Sequence, residues 1–91
     1  MDNRIVHLAL KVENLEETTA FYQKVFGFWE VETRKTRDHL SRHLTDGAMD
    51  FTLIKYDDGT ESAESKASGE GPCIHHFAIE VEDIAAYTEK I

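Results

Sequence analysis

The sequence predicts an α+β domain built around a sheet, and two adjoining segments carry this prediction. Apolar residues alternate with small or polar ones along Ile5–Val12, which is the two-residue period of a strand with one buried face. Leu15–Phe26 then has apolar residues at helical spacing, and three further strand-like segments follow it. The predicted order is therefore strand, helix, strand, strand, strand.

The predicted helix has signals at both ends. Asn14 is a good N-cap, and Glu17 stands three residues later, as a capping box requires. Gly27 follows the last apolar residue and can adopt the left-handed conformation of a C-cap. We therefore expect the helix to span Leu15–Phe26.

Strands are predicted over Phe28–Arg34, His39–Thr45 and Ala48–Tyr56, with a hairpin turn signal at Asp46-Gly47 before the last. Residues 60–72 are rich in small and polar residues and lack apolar periodicity, so a flexible linker or a mobile loop is expected there. The predicted division is a first module over residues 1–59, this linker, and the start of a second module over residues 73–91.

The second module is predicted to open with a strand over Ile74–Val81. Asp83 can then cap a helix that carries Ile84, Tyr87 and Ile91 on one face. This strand and helix repeat the beginning of the chain, because HFAIEVEDI, starting at His76, matches HLALKVENL, starting at His7. The two copies lie 69 residues apart, and each sits where a strand enters a capped helix.

The repeat also predicts a missing portion. A full second copy would extend to about residue 125, roughly 34 residues past Ile91, which is the length of three strands with their turns. The expectation is a fragment, a truncated gene, or a sheet that a partner chain completes.

Composition limits the classes of function. The formal charge of −8 argues against non-specific nucleic-acid binding, which needs basic surfaces. No stretch approaches the length of a membrane helix, so no membrane partner is expected. Cys73 is the single cysteine, and the N-terminus has no apolar run after a basic start, so a reduced, cytoplasmic setting is expected.

Two segments resemble one known family. The segment HLALKVENLEETTAFYQKVFGF, with its FYxKxFGF ending, is similar to the opening strand and helix of a module in the glyoxalase/bleomycin-resistance/dioxygenase (vicinal oxygen chelate) superfamily. The segment GPCIHHFAIEVEDI resembles the start of that family's second module. The resemblance implies paired βαβββ modules whose sheets curl into a half-open cup, here with the second module truncated after its first strand and helix.

The resemblance also implies a divalent metal in the cup, held by a residue on the first strand of each module. In this chain those residues are His7 and His76. Asp50 is the candidate carboxylate ligand late in the first module, and its counterpart would lie beyond Ile91. Two imidazoles and a carboxylate suit Fe, Mn, Zn, Ni or Co, which the sequence does not distinguish.

The other polar candidates are given different roles. His75 neighbours His76 in a regular strand, so it should point to the opposite face and serve a structural role. His39 and His43 share a face and could line the cup, in contact with solvent or substrate rather than metal. A charged edge is favoured over an anion site for the arginines of this region, Arg34, Arg37 and Arg42.

Three hypotheses about function follow. The first is a metalloenzyme (a lyase, an isomerase or an extradiol-type dioxygenase) acting on a small molecule with vicinal oxygens. The second is a metal-free protein that binds and sequesters a small molecule, of the bleomycin-resistance type. The third is an inactive chain that only dimerises. A homodimer is expected from the resemblance, and the sequence assigns no general base.

Overall fold

The computed structural model describes residues 3–90, which form five strands and three helices. The elements in chain order are β1 (Arg4–Lys11), α1 (Leu15–Phe26), β2 (Trp29–Thr36), β3 (His39–Thr45), β4 (Asp50–Tyr56), α2 (Ala63–Ala67), β5 (Cys73–Glu80) and α3 (Ile84–Lys90). This α+β architecture confirms the predicted fold class, a βαβββ module followed by the first strand and helix of a second.

All five strands form one mixed sheet in the order β2-β3-β4-β1-β5. β1 is the strand of the first module that contacts the second. It pairs in parallel with β4 of its own module and antiparallel with β5. The hairpins β2-β3 and β3-β4 complete the first module by antiparallel pairing. The opening strands of the two modules are therefore direct neighbours.

The ends of α1 follow from its capping residues. The Asn14 side chain accepts a hydrogen bond from the Glu17 backbone N–H at 3.0 Å. Gly27 takes the left-handed conformation with φ 73°, and its N–H bonds to carbonyls of the last turn. The observed helix has the predicted bounds, because a strong cap at each end leaves little freedom in where it starts and stops.

The main core lies between α1 and one face of the sheet. Leu44 and Leu53 are fully buried there, and Leu15 of the helix packs with them. The other members of this core are Val12 and Phe51, with Leu8, Leu10, Tyr22, Phe28, Leu40 and Met49 partly buried around them. The opposite face of the sheet carries a smaller cluster of Ala9, Ile54 and Tyr56. We call this opposite face, which also carries His7, Asp50 and Thr52, the histidine face.

The predicted strands agree with the structure to within one or two residues at each end, and β3 agrees fully. Asp83 caps α3 as expected, because its Oδ1 accepts hydrogen bonds from the N–H groups of Ala85 and Ala86. The predicted contribution of Ile91 to this helix lies outside the described residues. None of the helices within residues 3–90 has the length and apolar character needed to cross a membrane.

The segment predicted as an irregular linker contains one regular element. α2 spans Ala63–Ala67, and the Ser62 side chain caps it by accepting from the Ser65 N–H at 3.2 Å. The sequence analysis did not predict this short helix. A single turn with no buried residue needs no apolar periodicity, which was the signal that the prediction used.

Candidate metal centre on the histidine face

His7 and His76 meet on the histidine face through their ring nitrogens. In the β1-β5 ladder His76 lies opposite Ala9, one position along the same face from His7. Their Nε2 atoms are 2.8 Å apart, and the ring centroids are separated by 4.8 Å. The pairing of the two opening strands thus brings together two imidazoles that are 69 residues apart in the chain.

Asp50 contacts the other side of the His7 ring. It is directly opposite His7 in the parallel β1-β4 ladder. Its Oδ2 accepts from His7 Nδ1 at 2.8 Å, so the carboxylate lies behind the ring, away from the nitrogen that faces His76. A carboxylate in this position fixes the tautomer of His7 with a proton on Nδ1 and a lone pair on Nε2.

Two further side chains hold the Asp50 carboxylate. His43 Nδ1 donates to Oδ1 at 3.0 Å, and the Thr52 hydroxyl donates to the same oxygen at 3.0 Å. Partial burial raises the pKa of Asp50, but the hydrogen bonds from His43 and Thr52 and the charges of His43 and His7 outweigh it. The pKa of Asp50 is therefore lowered, and the group is an anion that accepts hydrogen bonds.

His43 and His39 lie on the histidine face, as their spacing predicts, since they pair with Thr52 and Tyr56 across the β3-β4 ladder. His43 belongs to the Asp50 cluster, a contact that sequence reasoning missed. The turn signal at Asp46-Gly47 does not give this contact, because a two-residue turn would place Thr45 opposite Ala48, whereas Thr45 pairs with Asp50 in the structure. His39 is bound elsewhere, with its Nδ1 3.0 Å from the carboxylate of Asp38.

The predicted orientation of His75 is wrong. Ala9 pairs with His76 and Leu10 pairs with Ile74, so His75 is an extra residue in β5, a β-bulge. The bulge breaks the alternation of side chains and turns His75 onto the histidine face beside His76. There its Nε2 lies 2.9 Å from the Tyr56 hydroxyl and its Nδ1 lies 2.8 Å from His76 Nδ1.

The surroundings of His76 lower the pKa of its imidazole below the ordinary value. Partial burial lowers its pKa, and the neighbouring charges of His7 and His75 lower it further, against a smaller opposite effect of Asp50. A lowered pKa keeps a lone pair on the imidazole to lower pH, and only the neutral ring can bind a metal ion.

The arginines do not gather near these imidazoles. Arg42 lies on the helix side of the sheet, where it donates to Glu16 at 2.8 Å and to Thr33 at 2.9 Å. Arg34 pairs with Glu32 at 2.6 Å on β2. Arg37 stands in the β2-β3 turn with φ 42°. Arg34 and Arg37 agree with the predicted charged edge, since they lie on the edge strand β2 and in the turn that follows it. Arg42 does not, because β3 is an inner strand and the Arg42 side chain is only 13% exposed.

The two imidazoles fit two positions of a metal site. Bonds of about 2.0–2.1 Å from one ion to two nitrogens place the nitrogens roughly 3.0–3.4 Å apart, close to the 2.8 Å between the Nε2 atoms. Asp50 supplies no third donor in this arrangement, because its oxygens face Nδ1 of His7. Within residues 3–90, no group of three or more His, Cys, Asp or Glu side chains is arranged to hold a metal ion.

The fold and the paired histidines define a module of the βαβββ class, and comparison with known proteins identifies its family. The family model of the glyoxalase/bleomycin resistance protein/dioxygenase superfamily matches residues 4–91. The chain belongs to this superfamily, as the two segments of resemblance predict. It is also 29% identical over 99 residues to the uncharacterized protein YwbC of Bacillus subtilis (strain 168), covering 99% of this chain and 70% of that protein.

Solved structures share the fold. Methylmalonyl-CoA epimerase from Mycobacterium tuberculosis matches 94% of this chain with a TM-score of 0.71 and 19% identity. Hypothetical protein BH1468 from Bacillus halodurans C-125 matches 99% with a TM-score of 0.75 and 17% identity. A mutant 4-hydroxymandelate synthase from Streptomyces coelicolor matches 97% with a TM-score of 0.72 and 22% identity. The chain spans 60% of the epimerase, 67% of BH1468 and 30% of the synthase.

Proposed function

We propose that this chain provides two histidine ligands, His7 and His76, to the divalent metal of an enzyme that acts on a small molecule with vicinal oxygens. The observation that carries the proposal is the 2.8 Å approach of their Nε2 atoms on an open sheet face. Membership of the superfamily supports it, since the structural neighbours include an epimerase and a synthase, both of which act on small molecules by their names.

The reaction class is a lyase, an isomerase or an extradiol-type dioxygenase reaction. A bound divalent ion would act as a Lewis acid toward two adjacent oxygens of the substrate. Imidazole nitrogens suit Fe, Mn, Zn, Ni and Co, so the ligand type does not choose between them. A homodimer and a cytoplasmic location remain predictions from the sequence.

The residues of this chain have distinct tasks in the proposed site. Asp50 accepts from His7 Nδ1 and so directs the lone pair of Nε2 toward His76. His43 and Thr52 hold the carboxylate in place by their bonds to Oδ1. The prediction that Asp50 is itself a ligand requires its carboxylate to leave His7 and turn across the ring edge to the Nε2 side.

Metal titration of the purified protein tests the proposal. After chelator treatment, each of the five ions is added and the bound metal is measured by calorimetry and by elemental analysis after desalting. We expect one ion per pair of imidazoles, and at least a hundredfold loss of affinity in His7→Ala and His76→Ala. His39→Ala is the matched control, because His39 lies on the same face but is bound to Asp38.

Stoichiometry well below one ion per imidazole pair, in a folded protein, would overturn the proposal. So would a His39→Ala variant that loses as much affinity as the other two, because the effect would then be general to histidines on this face. Circular dichroism of each variant establishes that it has folded before its affinity is compared.

A second candidate function is metal-free binding of a small molecule. It is favoured by one observation: both Asp50 oxygens accept hydrogen bonds from side chains of the protein. The carboxylate is therefore occupied, and the two imidazoles are left to bind a metal ion without it. In that case aromatic compounds should raise the melting temperature equally with and without a chelator, and the chelator should leave their affinity unchanged.

A further inference from the structure

The bulge in β5 gives His76 a side-chain partner that a regular strand could not provide. His75 is unpaired in the ladder, because the adjacent pairs are Ala9 with His76 and Leu10 with Ile74. Bulges recur next to functional sites, where they redirect a side chain at the expense of regular strand pairing. In this chain the redirected side chain is an imidazole in contact with a candidate metal ligand.

The two proposed ligands, His7 and His76, each have a side-chain partner at Nδ1. Asp50 lies 2.8 Å from His7 Nδ1, and His75 Nδ1 lies 2.8 Å from His76 Nδ1. His75 is held in turn by the hydroxyl of Tyr56, 2.9 Å from its Nε2. Tyr56 is only 6% exposed, so its ring is fixed by packing and provides a firm support.

These contacts form one chain of hydrogen bonds whose direction is set at one end. The Asp50 carboxylate only accepts, so His7 must donate through Nδ1 and accept through Nε2. With neutral rings, His76 then donates from Nε2 to His7, and His75 donates from Nδ1 to His76. Tyr56 completes the chain by donating its hydroxyl proton to His75 Nε2.

A metal ion at the two Nε2 atoms needs the opposite arrangement at His76. His76 must carry its proton on Nδ1 and donate it to Nδ1 of His75. His75 must then carry its own proton on Nε2, where it is directed at the Tyr56 oxygen. Each ring keeps one proton and its charge, so only the positions of the protons change. A ligating histidine commonly donates its second nitrogen to such a partner, which fixes the ring orientation.

We infer that His75 is a positioning residue for His76, and that Tyr56 holds His75 in place for this role. His75 would do for His76 what Asp50 does for His7. The inference rests on the proposed function, since it describes how one of the two proposed ligands is oriented. Loss of such a partner typically weakens metal binding by about 10–100-fold.

The test compares His75→Phe, which keeps a ring but has no acceptor, with His75→Gln, whose amide oxygen can accept. Zinc affinity is measured by competition with a chromophoric chelator, and histidine tautomers by long-range ¹H–¹⁵N NMR. We expect roughly 10–100-fold weaker zinc binding in His75→Phe, partial recovery in His75→Gln, and an intermediate loss in Tyr56→Phe. His39→Phe is the control and should bind zinc as the wild type does.

The NMR measurement reads the hydrogen bonds directly. In wild-type protein without metal we expect His76 protonated at Nε2 and His75 at Nδ1, and we expect both to exchange these positions when zinc binds. An unchanged tautomer of His75 on zinc binding, or a His75→Phe variant that binds zinc as tightly as the wild type, would overturn the inference.

The failure of the proposed function would look different. A folded wild type that binds no zinc overturns the metal site. In that case the inference about His75 falls with it only if His75→Phe also leaves the orientation of the His76 ring in the metal-free protein unchanged, as read from nuclear Overhauser contacts of the ring protons. A changed ring orientation would show that His75 positions His76 for a different ligand.

Discussion

The Nε2 atoms of His7 and His76 lie 2.8 Å apart, and each ring has its Nδ1 bound to a different partner. The two histidines occupy equivalent places in the repeat, yet the partner of His7 is a carboxylate on β4 and the partner of His76 is an imidazole on β5 itself. The repeat therefore explains why each opening strand carries a histidine at this place. Asp50 and His75, which lie outside the repeat, set the orientation of the two rings.

Substitutions at Asp50 separate an orienting role from a ligating one. Asp50→Ala removes the acceptor on His7 Nδ1, and we expect about 10–100-fold weaker metal binding. Asp50→Asn keeps an oxygen that can accept from Nδ1 and should lose less. The Co(II) absorption spectrum reports coordination number, and it should be the same in wild type and Asp50→Asn if the carboxylate orients His7. A reduced ligand count in Asp50→Asn would instead identify Asp50 as a ligand.

The sequence predicts most of the fold because its signals are local. The caps at Asn14 and Gly27 define α1, and the two-residue period defines β1. The repeat predicts that β1 and β5 play the same structural part, whereas their direct antiparallel pairing is a finding of the structure. Metal binding by His7, His76 and Asp50 stays a prediction.

The sequence does not predict the bulge at His75, because a bulge depends on the pairing of two strands and leaves no change in the apolar pattern of one. Strict alternation therefore placed His75 on the wrong face. The contact of His43 with Asp50 is similar, since it depends on the register of a hairpin. Side-chain partners across strands are fixed by register, which composition and periodicity describe only in part.

Gly27 should tolerate substitution poorly despite open space around it. Its φ of 73° lies in the left-handed region, and an added Cβ would meet no atom within 4 Å. Gly27→Ala is therefore expected to reduce the free energy of unfolding by about 1–2 kcal/mol through backbone strain alone. Asn tolerates this conformation better, so Gly27→Asn should lose less. Urea unfolding measures both, and equal stability of Gly27→Ala and wild type would contradict the expected strain.

Leu53 should be highly sensitive to truncation, because it lies in the core between α1 and the sheet. It is fully buried in the central part of β4. Leu53→Ala creates a cavity and should cost about 2–5 kcal/mol of unfolding free energy, while Leu53→Met should cost less than about 1.5 kcal/mol. Val31→Ala is the control, because Val31 is 64% exposed and should change stability by no more than about 0.5 kcal/mol. Similar losses for Leu53→Ala and Val31→Ala would contradict this core.

Asp38 should make the protein's stability depend on pH in the acid range. Hydrogen bonds from Ser62, Thr60 and His39 hold the pKa of its carboxyl well below the ordinary value of 3.8. An acid with a lowered pKa stabilises the folded state above its unfolded pKa, and this contribution is lost as the pH falls through the folded pKa. Asp38→Asn should therefore be less stable than the wild type above about pH 4, and the two should converge at lower pH.

Urea midpoints between about pH 2.5 and pH 7 measure the difference. Asp58→Asn, which replaces a fully exposed carboxylate, is the control variant. A constant gap between Asp38→Asn and the wild type would show that the hydrogen bonds of Asp38 do not depend on its charge.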